Sequence, residues 1–321
     1  MFTRRQTFQL FAGAATVLAL PASAWAQDDA RQLRIGWQKG GVFALAKKSG
    51  AIEARLAPRG VSVTWAEFTS GPPLLEALGA NALDFGSTGD VPPLFAQAAG
   101  GDLVYVAATP SSLDGSAILV KQDSPIKTLA DLKGKKIAFK RGSSAHNFIV
   151  KALRIAGLTL DDVTPLDLGP PDAAPAFANN QVDAWVIWDP YYAIAAQDAQ
   201  TRVLTTTEGV LNSYGFLQAN GSYARQNPTI VAEVIDALRK VGQGAQADLD
   251  GTAVGVSEMT GVPVPITRIT LGRKGADLGA IVPLNDEIIA GQQALADEFF
   301  GLKIVPRQLT VSDIVWYPPA L

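Results

Sequence analysis

A chain of 321 residues, 48% hydrophobic and 18% charged, has the length for two medium domains, and its net charge of −3 leaves no basic excess for nucleic acid or an anionic membrane. It has no cysteine and one histidine, which removes disulfides, a lipid-bearing cysteine, thiol nucleophiles and the usual zinc sites, so no cofactor and no metal are expected.

Residues 1–26 read as an export signal: Arg4 and Arg5, an apolar run from Leu10 to Leu20, then Ala24-Trp25-Ala26 as a small-residue cleavage site. The run is short for a bilayer span. T-R-R-Q-T-F at 3–8 resembles a twin-arginine signal with its Phe one position late, which leaves Tat and Sec export both open. The expected location is the periplasm, as a soluble monomer.

From Leu33 onward short β-like runs alternate with helical ones. Strands are predicted at 33–37, 61–68, 83–86 and 104–109, with helices near 43–57, 72–79 and 92–99. After a strand at 116–121 the same grammar restarts: a strand at 136–140, a helix near 144–156, a strand at 163–166, a helix near 173–180 and a strand at 182–188. The restart has a measurable spacing. I-G-W-Q-K-G at 35–40 returns as I-A-F-K-R-G at 137–142, an offset of 102; the Asn81/Asp84/Asp90 spacing returns as Asn180/Asp183/Asp189, an offset of 99. After Gly215 the chain is mostly helical, with Asn227-Pro228 opening a long helix and another near 285–300.

These observations predict a two-lobed α/β fold, each lobe a mainly parallel sheet flanked by helices, joined by two crossover segments, an architecture that closes around a ligand by hinge motion. The expected division is 1–26 signal, 27–115 first part of lobe one, 116–219 lobe two and 220–321 a helical return to lobe one.

In parallel α/β sheets, ligands sit beyond the carboxyl ends of the strands. The loops there nominate Gln38, Ser70, Gly71, Ser87, Thr88 and Gly89 from lobe one, and Ser143, Ser144, His146, Asn147, Trp188 and Asp189 from lobe two. Helix starts among them offer unpaired N–H groups that favour an anion. Helix capping is the competing role for each Ser and Thr, and a solvated or supporting role for Gln38, Asn147 and His146. Trp185 and Trp188, three apart on a strand, point to opposite faces, with Trp188 assigned to the cleft and Trp185 to the core. Asp90 is followed by Pro92 and Pro93, which lack the N–H groups a capping Asp would take, so it bonds back to the 86–89 loop or faces the cleft. There is no nucleophile elbow around Ser143, no P-loop and no dinucleotide fingerprint, so the chain is not read as an enzyme.

L-R-I-G-W-Q-K-G, D-F-G-S-T-G-D-V-P-P-L-F-A-Q-A-A-G, S-P-I-K-T-L-A-D-L-K-G-K-K-I-A-F, R-G-S-S-A-H-N and V-D-A-W-V-I-W-D-P-Y-Y, in this order, resemble the aliphatic sulfonate-binding protein of bacterial ABC importers, which implies a periplasmic binding protein of the type II-like kind. The resemblance covers nearly all of the chain after residue 26 and thins after about Gly221. It implies capture of small organic sulfonates for sulfur acquisition and delivery to an inner-membrane permease with its ATPase. It places the sulfonate head against Gln38, Ser87, Thr88 and Gly89 on one side, and Ser143, Ser144 and His146 or Asn147 on the other. L-Q-A-N-G at 217–221 and K-G-G-V-F at 39–43 depart from the expected forms. Receptors for nitrate or a thiamine-precursor-like pyrimidine, a sensor role and a desulfinase are the alternatives; the last needs a cysteine this chain lacks.

Overall fold

The computed structural model describes residues 31–318, so the export-signal expectation for 1–26 lies outside the described residues. The first stretch is β1 (Gln32–Trp37), α1 (Gly41–Ser49), α2 (Ala51–Leu56), β2 (Ser62–Glu67), α3 (Gly71–Gly79), β3 (Phe85–Thr88), α4 (Pro92–Ala98) and β4 (Leu103–Pro110). The second is β5 (Ser116–Lys121), β6 (Lys136–Phe139), α5 (Ser144–Ile155), β7 (Thr164–Asp167), α6 (Pro170–Ala178), β8 (Ala184–Trp188), α7 (Tyr191–Ala195) and β9 (Thr201–Thr206). The third is β10 (Tyr214–Asn220) followed by α8 (Gly221–Gln226), α9 (Pro228–Ala247), α10 (Leu249–Thr260), α11 (Val264–Leu271) and α12 (Asp286–Gly301).

The strands form two five-stranded sheets on one plan, β2-β1-β3-β10-β4 and β7-β6-β8-β5-β9. In each, the fourth strand of the order runs antiparallel to both neighbours and the first three are parallel. That fourth strand is the exchanged one: β5 enters the second sheet directly after β4, and β10 returns to the first directly after β9. The crossings are therefore 111–115 and 207–213, and they run side by side, with the Ser111 amide donating to Ser213 O at 3.0 Å and the Thr207 hydroxyl to Leu113 O at 2.8 Å. The second crossing lies earlier than the expected end of lobe two at 219, because β10 pairs with β3 and β4 and so belongs to the first sheet.

The internal repeat has a physical cause. Asn81 and Asn180 both take left-handed backbone, φ 58° and 57°, in the turns that leave α3 and α6. Three residues on, Asp84 accepts the Arg34 amide at 2.7 Å and Asp183 accepts the Lys136 amide at 2.7 Å, tying each turn to the second strand in the order of its sheet, β1 or β6. Two further differences matter. The helix expected at 43–57 is two helices, broken where Gly50 adopts φ 63°. The strand expected at 83–86 lies at Phe85–Thr88, so Ser87 and Thr88 sit on a strand end, fixed by the ladder with β10, rather than in a loop.

Apolar faces are partitioned accordingly. α1, α2 and α9 cover one face of the first sheet, burying Ile35, Phe43, Ile52, Val231 and Leu238. α12 packs near the other face with Tyr105, Phe216 and Phe299. α5 and α6 sandwich the second sheet through Phe148 and Phe177. Each fully buried large side chain contributes roughly 1.5–3 kcal/mol, and the separate clusters give each lobe its own core.

Candidate ligand-binding cleft

Lobe one presents its half of the cleft where β1, β3 and α3 end together. A Cβ on Gly71 would lie 2.6 Å from Pro92 and 3.1 Å from Thr88, so only glycine lets the start of α3 press against the end of β3. The prolines at the starts of α3 and α4 fit positions where a helix has no partner for an N–H. Neither helix takes a side-chain cap, which leaves the neighbouring hydroxyls to other duties. Gln38 donates to Ser87 O at 3.1 Å, closing the wall between β1 and β3.

Lobe two presents the start of α5. Here the capping role is the observed one for Ser143: its Oγ accepts the Ala145 amide at 3.3 Å and its hydroxyl donates to Lys140 O at 2.7 Å. Ser144 approaches lobe one so closely that a Cβ on Gly89 would fall 1.8 Å from its Oγ. Glycine at 89 is thus a packing requirement of lobe contact.

The lobes touch on both flanks of the cleft. On one flank, Asn147 Nδ2 of lobe two donates to Asp90 Oδ2 of lobe one at 2.6 Å, and both residues are buried. Asp90 Oδ1 accepts its neighbour's amide, Val91 N, at 3.0 Å. Burial pushes the Asp90 carboxyl above its usual range, against the hydrogen bonds from Asn147 and Ser144. Beside them His146 stands among Phe139, Phe299 and Phe95 at ring distances of 5.1, 5.4 and 6.4 Å, with Nδ1 accepting the Gly142 amide at 3.3 Å. Burial, with Arg141 adding to it, pushes the His146 pKa down to about 4, so the ring is neutral at ordinary pH.

On the other flank the chain returns over lobe two. Arg273 holds Asp189 through Nε to Oδ2 at 2.7 Å and a second nitrogen to Oδ1 at 3.1 Å, and its guanidinium lies 4.1 Å over the Tyr192 ring. Burial raises the Asp189 carboxyl above its usual range and the Arg273 pair opposes that rise. Val262 and Ile266 pack on Ala193 next to this pair.

Between the flanks lies a cavity of about 430 Å³, within the range of small-ligand sites. Gln38, Gly71, Ser87, Thr88, Gly89, Ser143, Ser144, Trp188 and Asp189 line it. Ser70, His146 and Asn147 do not: all three are buried behind the wall, Ser70 at the start of α3 and the other two in the lobe contact. Trp185 is buried against Phe177, on the opposite face from Trp188. Asp90, left between two roles by the sequence, bonds across the lobes, and Asp189, nominated as a ligand contact, is already engaged by Arg273.

Sequence reasoning missed the third wall. Val256 and Leu271 of α10 and α11, with Val262 and Leu278 of the loops that follow those helices, line the cavity together with Trp37 and Phe43 of lobe one. It also missed Arg273. No sequence signal singles that one out, since the burial of Asp189 and its pairing with a residue 84 positions away appear only in the fold. Lys39, at the rim, is one-third exposed and donates to Thr260 O at 3.0 Å. Among the described residues no group of acidic, His or Cys side chains can hold a metal, and no helix is long and apolar enough to cross a membrane.

Two lobes on one topology, crossed twice by the chain and enclosing a cleft between like half-sites, define a bilobal solute-binding protein. The NMT1/THI5-like family model matches residues 57–260. The chain is 39% identical over 297 residues to the Escherichia coli (strain K12) protein named for binding aliphatic sulfonates, covering 92% of each. A Bacillus subtilis (strain 168) protein named in the same way is 34% identical over 287 residues, 89% of this chain and 86% of that one. Among solved structures, the alkanesulfonate-binding protein SsuA from Xanthomonas axonopodis pv. citri, bound to MOPS, superposes with a TM-score of 0.85 at 41% identity over 89% of this chain and 98% of that one. This chain belongs to the aliphatic sulfonate-binding proteins of the NMT1/THI5-like family.

Proposed function

We propose that this protein is the periplasmic solute receptor of an ABC importer, which captures aliphatic sulfonates by closing its lobes and delivers them to a membrane permease and its ATPase without altering them. The observation that carries this reading is the pairing, in one cleft between the lobes, of hydroxyl and glycine positions at Ser87, Thr88, Gly89 and Ser144 with the apolar side chains of Trp188, Val262 and Leu271. A sulfonate is a strong-acid monoanion whose three oxygens accept hydrogen bonds and never donate. Neutral O–H and N–H donors suit it, and the start of α5 adds a favourable partial charge. The alkyl end then meets Trp188, Val262 and Leu271.

In this reading Gln38, Gly71, Ser87, Thr88, Gly89 and Ser144 surround the head group, Ser143 shapes the start of α5, and Asn147, His146 and Asp189 act on lobe closure rather than on ligand. Residues 1–26 direct export by Sec or Tat and are removed, and the released protein works as a monomer. Charge-assisted hydrogen bonds contribute about 1.5–3 kcal/mol each, set against association costs of about 4–15 kcal/mol. Five or six of them give affinity of about micromolar order.

The test is titration calorimetry of residues 27–321 with ethanesulfonate, longer alkanesulfonates, taurine, nitrate, sulfate, phosphate and an aminopyrimidine. The expected result is micromolar-order binding of alkanesulfonates and at least tenfold weaker binding of the inorganic anions and the pyrimidine. Absence of binding to every sulfonate would overturn the proposal.

A further inference from the structure

Gln218 is a fully buried polar residue in the middle of β10, a position where an apolar side chain costs least. It lies opposite Gly86 on β3, and its amide Nε2 reaches diagonally along the same face to the Thr88 hydroxyl at 3.0 Å. Its carbonyl Oε1 is buried with no hydrogen-bond partner. A buried amide left half-satisfied costs stability, so the feature needs a reason outside folding.

A hydroxyl has one proton to give and two lone pairs to accept with. With Gln218 donating to one lone pair, Thr88 is pushed to spend its own proton elsewhere. Its present acceptor is the neighbouring Gly89 carbonyl at 3.2 Å, a local and stretched bond. Thr88 lines the cleft, and Gln218 does not. We propose that Gln218 is a positioning residue: it holds the Thr88 hydroxyl as a donor toward the cleft and thereby favours anions whose oxygens only accept. The inference rests on the reading of Thr88 as a head-group contact. It assigns selectivity between an acceptor-only sulfonate and a proton-bearing anion to a residue that touches neither.

The experiment is a double-mutant cycle on residues 27–321, read by calorimetry with ethanesulfonate. Gln218→Met keeps the length and removes the donor; Gln218→Glu offers Thr88 only acceptor oxygens and draws its proton away from the cleft. Gln218→Met is expected to weaken binding about tenfold and Gln218→Glu more than that, a loss of the size of one charge-assisted hydrogen bond. In a Thr88→Val background the same Gln218→Met change is expected to alter affinity less than about twofold, because its route to the ligand is gone. Thr88→Ser, which keeps the hydroxyl, is expected to keep the dependence on Gln218. Equal losses with and without the Thr88 hydroxyl, or affinity unchanged in both Gln218 variants, would overturn the proposal while leaving the cleft assignment in place. If Thr88→Val alone binds ethanesulfonate as well as the parent does, the head-group assignment fails and the inference with it. Should Gln218→Met not fold, Gln218→Leu replaces it in the same cycle.

Discussion

Asp90 and Asp189 hold the same place in the two lobes, just past the carboxyl end of the third strand, and each reaches across the cleft to the opposite side of the molecule. Their partners differ in kind. Asp90 meets the neutral amide of Asn147, and Asp189 meets the guanidinium of Arg273. Both carboxyls are raised by burial, and only Asp189 has a cation to offset it. The repeat therefore fixes where the lobes touch, and the unique C-terminal segment decides how strongly. At the two aspartates, one flank is a polar contact, with Lys151 and Arg154 of α5 paired to Glu298 of α12 beside it, and the other is a charged contact closed by the returning chain.

The largest expected effect follows from breaking the charged flank. Arg273→Ala leaves Asp189, whose side chain is 14% exposed, buried without its cation. Removing one partner of a buried pair costs about 3–5 kcal/mol, to be read from urea unfolding of the unliganded protein. Arg273→Lys is expected to recover part of the loss, since the charge returns without the two-nitrogen geometry. A loss under about 1 kcal/mol would make the two flanks alike and end the comparison.

The polar flank is expected to fail in acid. His146 is buried neutral with its pKa pushed down to about 4 from the ordinary 6.5. Its contribution is fully present above the unfolded-state value and is lost as pH falls through that window, by about 1.4 kcal/mol per unit, or about 3 kcal/mol in total. Asp90 and Asp189, with raised values, act in the opposite sense: their share of stability is present when they are protonated and lost as pH rises. The difference between parent and His146→Phe isolates the imidazole. That variant is expected to show a flatter stability profile between pH 6.5 and 4, and a parallel profile would place the acid response elsewhere.

Lobe plan and repeat were legible because one short pattern occurs twice, Asn at a left-handed turn with Asp three positions on, although each Asp bonds an amide 50 or 47 positions back. What could not be read is what the chain brings from far away. β10 carries nothing in Y-G-F-L-Q-A-N to say which sheet it joins, so lobe two was drawn too long. The 273–189 pair spans 84 positions, and no local pattern predicts its partner. For the same reason the sequence leaves His146 and Asn147 open between ligand contact and a supporting role, and the structure has Asn147 bonding Asp90 across the lobes: a helix start facing a cleft looks alike in sequence whether its side chains meet solute or protein.

The serines at the two half-sites separate these cases with the smallest effect. On lobe two, Ser143 both accepts from Ala145 and donates to Lys140, so its hydroxyl is spent on the fold. On lobe one, α4 starts with Pro92 and Pro93, which remove the donors a cap would serve, and Ser87 lines the cavity from a strand end instead. Ser143→Ala is therefore expected to lower unliganded stability by about 1 kcal/mol, the usual cost of a lost N-cap. Ser87→Ala is expected to change it by less than about 0.5 kcal/mol, as for a substitution that breaks no cap or core contact, while weakening ethanesulfonate binding several-fold. Unfolding and calorimetry on the same two variants give both numbers. If Ser87→Ala costs stability and spares binding, the hydroxyls of the two lobes have the same job, and the prolines of lobe one have freed nothing for the ligand.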